Sequence, residues 1–173
     1  MRRLIKSRSI NSNQIEIVRD LFLFSCYTGL AYSDAEKLTP DDITGESGER
    51  WIKIRRNKTG QETVIMLLPK ALEIIEKYKG VKKGKLLPYI SNQRMNSYLK
   101  EIATLSGVKQ ELTTHIARHT FATTITLMNG VSLEVVQKML GHSSIKTTEI
   151  YAKIVNERIR NEMSELREKI KLK

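Results

Sequence analysis

Residues 113–151 read TTHIARHTFATTITLMNGVSLEVVQKMLGHSSIKTTEIY. All three histidines of the chain lie in this stretch, with an arginine three residues after the first and a tyrosine nine residues after the last. His115 and Arg118 stand at i and i+3, so they share one face of a helix. The pattern predicts a helical run ending at Gly130. A second short helix is expected from Ser132 to Leu140, closed by Gly141, with His142 on the turn behind it. Tyr151 is expected near the end of the next helical segment. A phenol, two imidazoles and a guanidinium would then converge on one small anion.

Upstream, residues 1–12 (MRRLIKSRSINS) are basic and lack periodicity, as a linker or the end of a preceding DNA-binding domain would. The main domain is expected over 13–173. Its first element, Asn13 to Tyr27, repeats Ile15, Val18, Leu21, Phe22 and Cys26 at helical spacing and is stopped by Thr28-Gly29. Ser33-Asp34-Ala35-Glu36 reads as a capping box, with Ser33 as N-cap, opening a short helix through Leu38. A turn over Thr39-Pro40-Asp41-Asp42-Ile43 leads to a polar turn over 44–50. Trp51–Arg56 and Glu62–Leu68 read as two strands, joined by a tight turn at Asn57-Lys58-Thr59-Gly60 with Lys58 at its tip. Pro69 suits the first turn of a helix to about Tyr78. A Lys/Gly loop follows over 79–90, and Ser91 caps a helix through Leu105. A final amphipathic helix runs from Val155 to about Ile170, its apolar stripe formed by Val155, Ile159, Met163, Leu166 and Ile170. The fold class is therefore mainly α with a small antiparallel β-sheet (α+β).

Thirty Lys and Arg against 19 Asp and Glu give a formal net charge of +11, which points to a polyanion, nucleic acid first. An aromatic content of 6% argues against a base-stacking single-strand binder. The single cysteine, Cys26, lies in an apolar run and supports neither a disulfide framework nor a cysteine-rich zinc site. No apolar run approaches the roughly 18 residues a membrane span needs, and the N-terminus lacks a signal peptide's apolar block. The expected location is cytoplasmic, on the nucleoid, with no membrane partner.

An in-line attack on a phosphodiester builds negative charge on the non-bridging, entering and leaving oxygens. Without metal, it needs a nucleophile, fixed cations and a proton donor for the leaving group. Tyr151 suits the first role. Arg118 can grip two oxygens at once, which lysine cannot. His115 and His142 can donate to the phosphate or exchange the tyrosine proton, and Lys58 can protonate the leaving hydroxyl. Taken singly, each has a structural explanation: a satisfied helical histidine, a core tyrosine, an ion-paired arginine, a solvated turn lysine. His115 and His119, at i and i+4, also suit zinc, with His142 as a third ligand. Ile116 stands where a metalloprotease has its glutamate, however, and no carboxylate is nearby in sequence. No metal site and no cofactor are expected.

These residues carry a family resemblance. The run Thr114 to Thr123 resembles the second box of the tyrosine recombinases, the phage-integrase family, and Met139 to Tyr151 resembles the third. Lys58-Thr59-Gly60 matches the family's β-hairpin lysine, and Thr28-Gly29-Leu30 opens its first box. The resemblance covers roughly residues 13–155. It implies the catalytic-domain fold, with double-stranded DNA as substrate in integration or excision of a mobile element. Tyr151 would attack DNA and form a 3′-phosphotyrosyl link that a freed 5′-hydroxyl later resolves, without ATP or metal. It further implies a homo-oligomer, a tetramer on DNA, in which each protomer lends its last helix to the next, and accessory DNA-bending proteins. His119 would pack behind the site.

One departure stands out. The first box usually reads Thr-Gly-x-Arg, but here its fourth place is Ala31. Losing one fixed donor costs about 3–4 kcal/mol of transition-state stabilisation. Arg56, two residues before Lys58 and so on the same strand face, is the first candidate to replace the missing cation; Arg55, facing the other way, is the second. Both would otherwise be DNA-backbone contacts. Asp34 aligns with an acidic position that supports the site, or serves as a first-turn carboxylate for its helix. Three further readings stay open. The chain could be a cleavage-deficient DNA-binding protein of this fold, a type IB topoisomerase-like enzyme or, more distantly, a helical transcription regulator.

Overall fold

The computed structural model describes residues 12–46 and 48–171. Of the stretch expected as a linker, only Ser12 falls within them, as the first residue of a helix. The elements are α1 (Ser12–Thr28), α2 (Tyr32–Ala35), β1 (Ile43–Thr44), β2 (Trp51–Arg55), β3 (Glu62–Met66), α3 (Pro69–Tyr78), α4 (Asn92–Leu105), α5 (Thr114–Thr120), α6 (Leu133–Leu140) and α7 (Lys146–Lys171). A π-helical turn over Phe121–Thr126 and a 3-10 turn over Leu127–Asn129 continue α5 to Gly130, which takes the left-handed conformation. The structure is mainly helical with one small antiparallel sheet, in the order β1-β2-β3.

Local signals set most boundaries. Ser91 accepts from the Arg94 amide at the start of α4, and Thr113 accepts from the Ile116 amide at the start of α5. Pro69 occupies the first turn of α3. In the sheet Ile52 faces Ile65, and Ile54 faces Thr63, on the buried side. Phe24, Leu30, Leu38, Ile52, Ile65 and Ile74 join α1, the sheet and α3 in the largest core cluster. Phe121, Val136, Leu140 and Tyr151 form a second cluster between the π-helical turn, α6 and α7. Cys26 is buried, as expected.

Four expectations need correction. The capping box is not at Ser33. The N-cap of α2 is Ala31, with no side-chain hydrogen bond, and the helix ends at Ala35 rather than Leu38. The box forms instead at the next turn, where the Asp42 carboxylate accepts from the Thr39 amide at 2.7 Å and hydroxyl at 2.9 Å. Second, β1 went unread, because a two-residue strand has no periodicity to detect. Third, the strands end earlier, at Arg55 and Met66. Leu68 is already the extended residue that a following proline requires. Fourth, no break separates Tyr151 from the final helix. Neither glycine nor proline lies between them, so α7 is one helix with Tyr151 in its second turn.

Gly29 ends α1 with φ +67°, and a Cβ there would run into the Phe121 ring. Gly29→Ala is therefore expected to destabilise the fold by about 2–5 kcal/mol, from left-handed strain plus overpacking. An unfolding free energy in urea within about 0.5 kcal/mol of the parent would contradict this packing.

Candidate active site

The site is built where the ends of α1, α5 and α6 meet the β2–β3 turn. Arg118 projects from α5 and is buried, at 8% exposure. One guanidinium nitrogen donates to the Gly29 carbonyl at 2.5 Å, and the other to the Leu140 carbonyl at 2.6 Å. Both acceptors are orphan carbonyls at helix C-termini, so the arginine also ties α1 to α6. The second nitrogen lies 3.0 Å from His142 Nε2. A guanidinium can only donate, so Nε2 must accept, which places the ring proton on Nδ1. That nitrogen lies 2.9 Å from the fully buried Thr148 hydroxyl in the first turn of α7. The electrostatics agree: burial, then Arg118 and Arg56, push the His142 pKa down to about 4. At neutral pH His142 is an uncharged imidazole held in one tautomer.

Tyr151 is 2% exposed, its ring stacked on His142 with centroids 6.4 Å apart. His119 packs edge-on against the Tyr151 ring at 5.0 Å and against His115 at 4.4 Å. Burial raises the Tyr151 pKa, while the neighbouring Arg118 cation opposes that rise. Burial, then His115 and Arg118, lower the His119 pKa. His115 is exposed at the rim. Lys58 is exposed on the turn, which the Thr59 hydroxyl tethers to the Gly141 carbonyl at 3.3 Å.

Arg56 lies one residue past the end of β2 but keeps its alternation. It is buried, like Ile52, whereas Lys53 and Arg55 are exposed. Its Nε lies 3.2 Å from an Asp34 carboxylate oxygen, and the other oxygen of Asp34 accepts from the Asn57 amide at 2.9 Å. Asp34 thus anchors the β2–β3 turn to α2 from its place in the first turn of that helix.

Lys58, His115, Arg118, His142, Tyr151 and Arg56 all line one cleft of about 410 Å³. Ala31 and Asp34 line it too, while His119 stands behind it. Thr148, whose hydroxyl pairs with His142 Nδ1, has no role apparent from sequence. Its only signal is a threonine in the first turn of the helix that follows the Leu-Gly-His turn. Among the described residues, no group of three His, Cys, Asp or Glu side chains is placed to hold a metal ion. None of the described helices is long and apolar enough to cross a membrane.

With five basic side chains, a phenol and one carboxylate already engaged, the cleft is suited to a tetrahedral anion. Comparison with known proteins gives the family. The phage integrase family profile matches residues 1–158, and the chain belongs to that family. It is 34% identical over 136 residues to tyrosine recombinase XerA of Saccharolobus solfataricus, covering 78% of this chain and 45% of that protein. Its fold resembles XerH site-specific recombinase bound to palindromic difH substrate in a post-cleavage complex (TM-score 0.64, 22% identity, 81% of this chain and 46% of that one). It also resembles a lambda integrase dimer bound to a COC′ core site (TM-score 0.63, 18% identity, 81% of this chain and 56% of that one). The chain spans about half the length of the curated relatives it matches.

Proposed function

We propose that this chain is the DNA-cleaving and rejoining domain of a tyrosine recombinase that moves a mobile element by site-specific recombination. The observation that carries this reading is the meeting of Tyr151, Arg118 and the neutral His142 in one cationic cleft. Tyr151 Oη attacks the scissile phosphorus, forming a 3′-phosphotyrosyl bond as the bond to the 5′-oxygen breaks. Arg118 and His115 neutralise the non-bridging oxygens. Once Arg118 exchanges its bond to His142 for the phosphate, the unprotonated Nε2 of His142 is free to accept the Tyr151 proton as the phenol attacks. Lys58 delivers a proton to the departing 5′-oxygen. That hydroxyl, or one from a second duplex, reverses the attack and regenerates the phenol. The link conserves bond energy, so the cycle balances with no ATP. DNA on the nucleoid is the place of action, with accessory DNA-bending proteins as helpers.

The test uses nicked duplexes with randomised flanks, in which the 5′ side of the nick is lost on cleavage. Covalently retained DNA is selected, amplified and run against this chain on a denaturing gel. An adduct is expected. If none is recovered although DNA is bound, the cleavage-deficient reading motivated by Ala31 takes its place.

The oligomeric part of the proposal rests on α7. Every residue from Asn156 to Ile170 is exposed, and Ile159, Met163, Leu166 and Ile170 are 46–63% exposed. An isolated overhang of this length is a marginal helix in water, so a second copy is its natural cover in a tetramer on DNA. This stripe also favours recombination over topoisomerase action by monomers. Ile159→Asp with Leu166→Asp is expected to leave the melting temperature of the monomer unchanged and abolish assembly of protomers on two-site DNA. Thermal melting reads the first and sedimentation the second, and unchanged assembly would refute the role of α7.

A further inference from the structure

We infer that Arg56 is a relocated phosphate-binding residue: from the β2–β3 turn it supplies the guanidinium that Ala31 cannot. The inference rests on the recombinase reading for its substrate, but its evidence is independent. Arg56 is 6% exposed and lines the cleft with Arg118, His142 and Tyr151. Its Nε is committed to Asp34, yet Nη1 is buried without a hydrogen-bond partner among the described residues. An unpaired buried donor on a cation is expensive to leave unsatisfied. A phosphate oxygen in the cleft is the partner it lacks.

The stem is held as well as the head. Gly141 turns with φ +62°, and a Cβ there would meet Arg56 Cγ at 2.7 Å. The glycine of Leu-Gly-His therefore lets the α6 terminus lie directly on the arginine stem. Asp34 below and Gly141 above fix the side chain, leaving the Nη edge for a ligand. This geometry also explains Ala31. It caps α2 one turn before Asp34 and lines the same cleft. An arginine there would bring a third guanidinium against Arg56 and Arg118. Those two already act on each other: burial, then Arg56, push the Arg118 pKa down to about 10. Arg55, the alternative, is exposed and opposite Glu62 in the sheet register, and it does not line this cleft. The guanidinium comes from the β2–β3 turn, and the small side chain of Ala31 leaves it room.

Two measurements test this. The first needs no cleavage: titration calorimetry of this chain with orthovanadate, a tetrahedral phosphate mimic. Arg56→Ala should weaken binding by about tenfold or more, the scale of one charged hydrogen bond, and Arg55→Ala should not change it. The exchange Ala31→Arg with Arg56→Ala should recover affinity, whereas Ala31→Arg alone should not raise it above the parent. Parent-like binding by Arg56→Ala would overturn the inference. If that variant does not fold, Arg56→Met with Asp34→Asn removes both charges of the pair and is read the same way. The second measurement replaces a non-bridging oxygen of the scissile phosphate with methyl, giving a neutral centre. Arg56→Ala should lose about 100-fold or more in cleavage of the ordinary phosphodiester, and much less on the neutral one. An equal deficit on both would mark Arg56 as structural. Should no variant, parent included, cleave DNA, the recombinase reading fails, while the vanadate comparison still decides Arg56.

Discussion

Tyr151→Phe should abolish the covalent DNA adduct, a loss of at least about 10⁴-fold, while leaving the fold intact. The size follows from the chemistry: a phenyl ring offers no oxygen to phosphorus, and removing a nucleophile typically disables the whole catalytic unit. The intact fold follows from the packing. The ring belongs to the cluster of Phe121, Ala122, Val136 and Leu140 and lies against His119 and His142. Phenylalanine preserves all of these contacts, so the change in stability should stay within about 1 kcal/mol. Tyr151→Ala would instead empty a buried ring-sized space and cost about 3–5 kcal/mol. The comparison separates the two uses of one side chain. A denaturing gel reads the adduct and thermal melting reads the fold. An adduct with Tyr151→Phe would assign the nucleophile elsewhere.

Arg118→Ala should damage both activity and stability. The residue satisfies the Gly29 and Leu140 carbonyls and sets the His142 tautomer. Removing it leaves two buried acceptors unpaired, at about 1–3 kcal/mol each. Relief of like-charge repulsion with Arg56 offsets part of that. A net destabilisation of about 2–4 kcal/mol is expected, together with a loss in cleavage of about 10³-fold or more. Arg118→Lys should rescue little. A single ammonium cannot reach two carbonyls on different elements and also present an edge to phosphate. Urea unfolding and single-turnover cleavage of the nicked duplex measure the two effects. Arg118→Lys cleaving within about tenfold of the parent would show that charge alone suffices.

Much of this was legible because the determinants are local. Ser91, Pro69 and Gly141 punctuate helices within a few residues of where they act, and alternation in WIKIR marks β2 whatever it packs against. The cleft was legible through the order of its residues, four of which (His115, Arg118, His142 and Tyr151) lie within one continuous stretch. What escaped depended on partners distant in sequence. Ser33-Asp34-Ala35-Glu36 has the form of a capping box, yet the helix starts earlier, with Ala31 as N-cap, and Asp34 pairs with Arg56 and Asn57. The choice between Arg55 and Arg56 was suggested by alternation, but burial, the Asp34 pair and the Gly141 contact distinguish them. Thr148 gained its role only when α7 placed its hydroxyl beside His142.

The continuity of α7 has a mechanical consequence. Its 26 residues form a rod about 39 Å long. Tyr151, the proposed nucleophile, sits near the anchored end, where α7 meets α6 and the turns after α5, and the bare stripe occupies the far end. Such a rod behaves as a lever with its fulcrum inside the domain. A hold on the free arm exerts torque on the short arm, so a displacement of several ångströms near Ile170 becomes a fraction of an ångström at Tyr151. Phosphoryl transfer is sensitive on that scale, since misplacement by about 1 Å can cost about 100-fold in rate. The position of Tyr151 is thus geared to whatever grips the distant end of its helix.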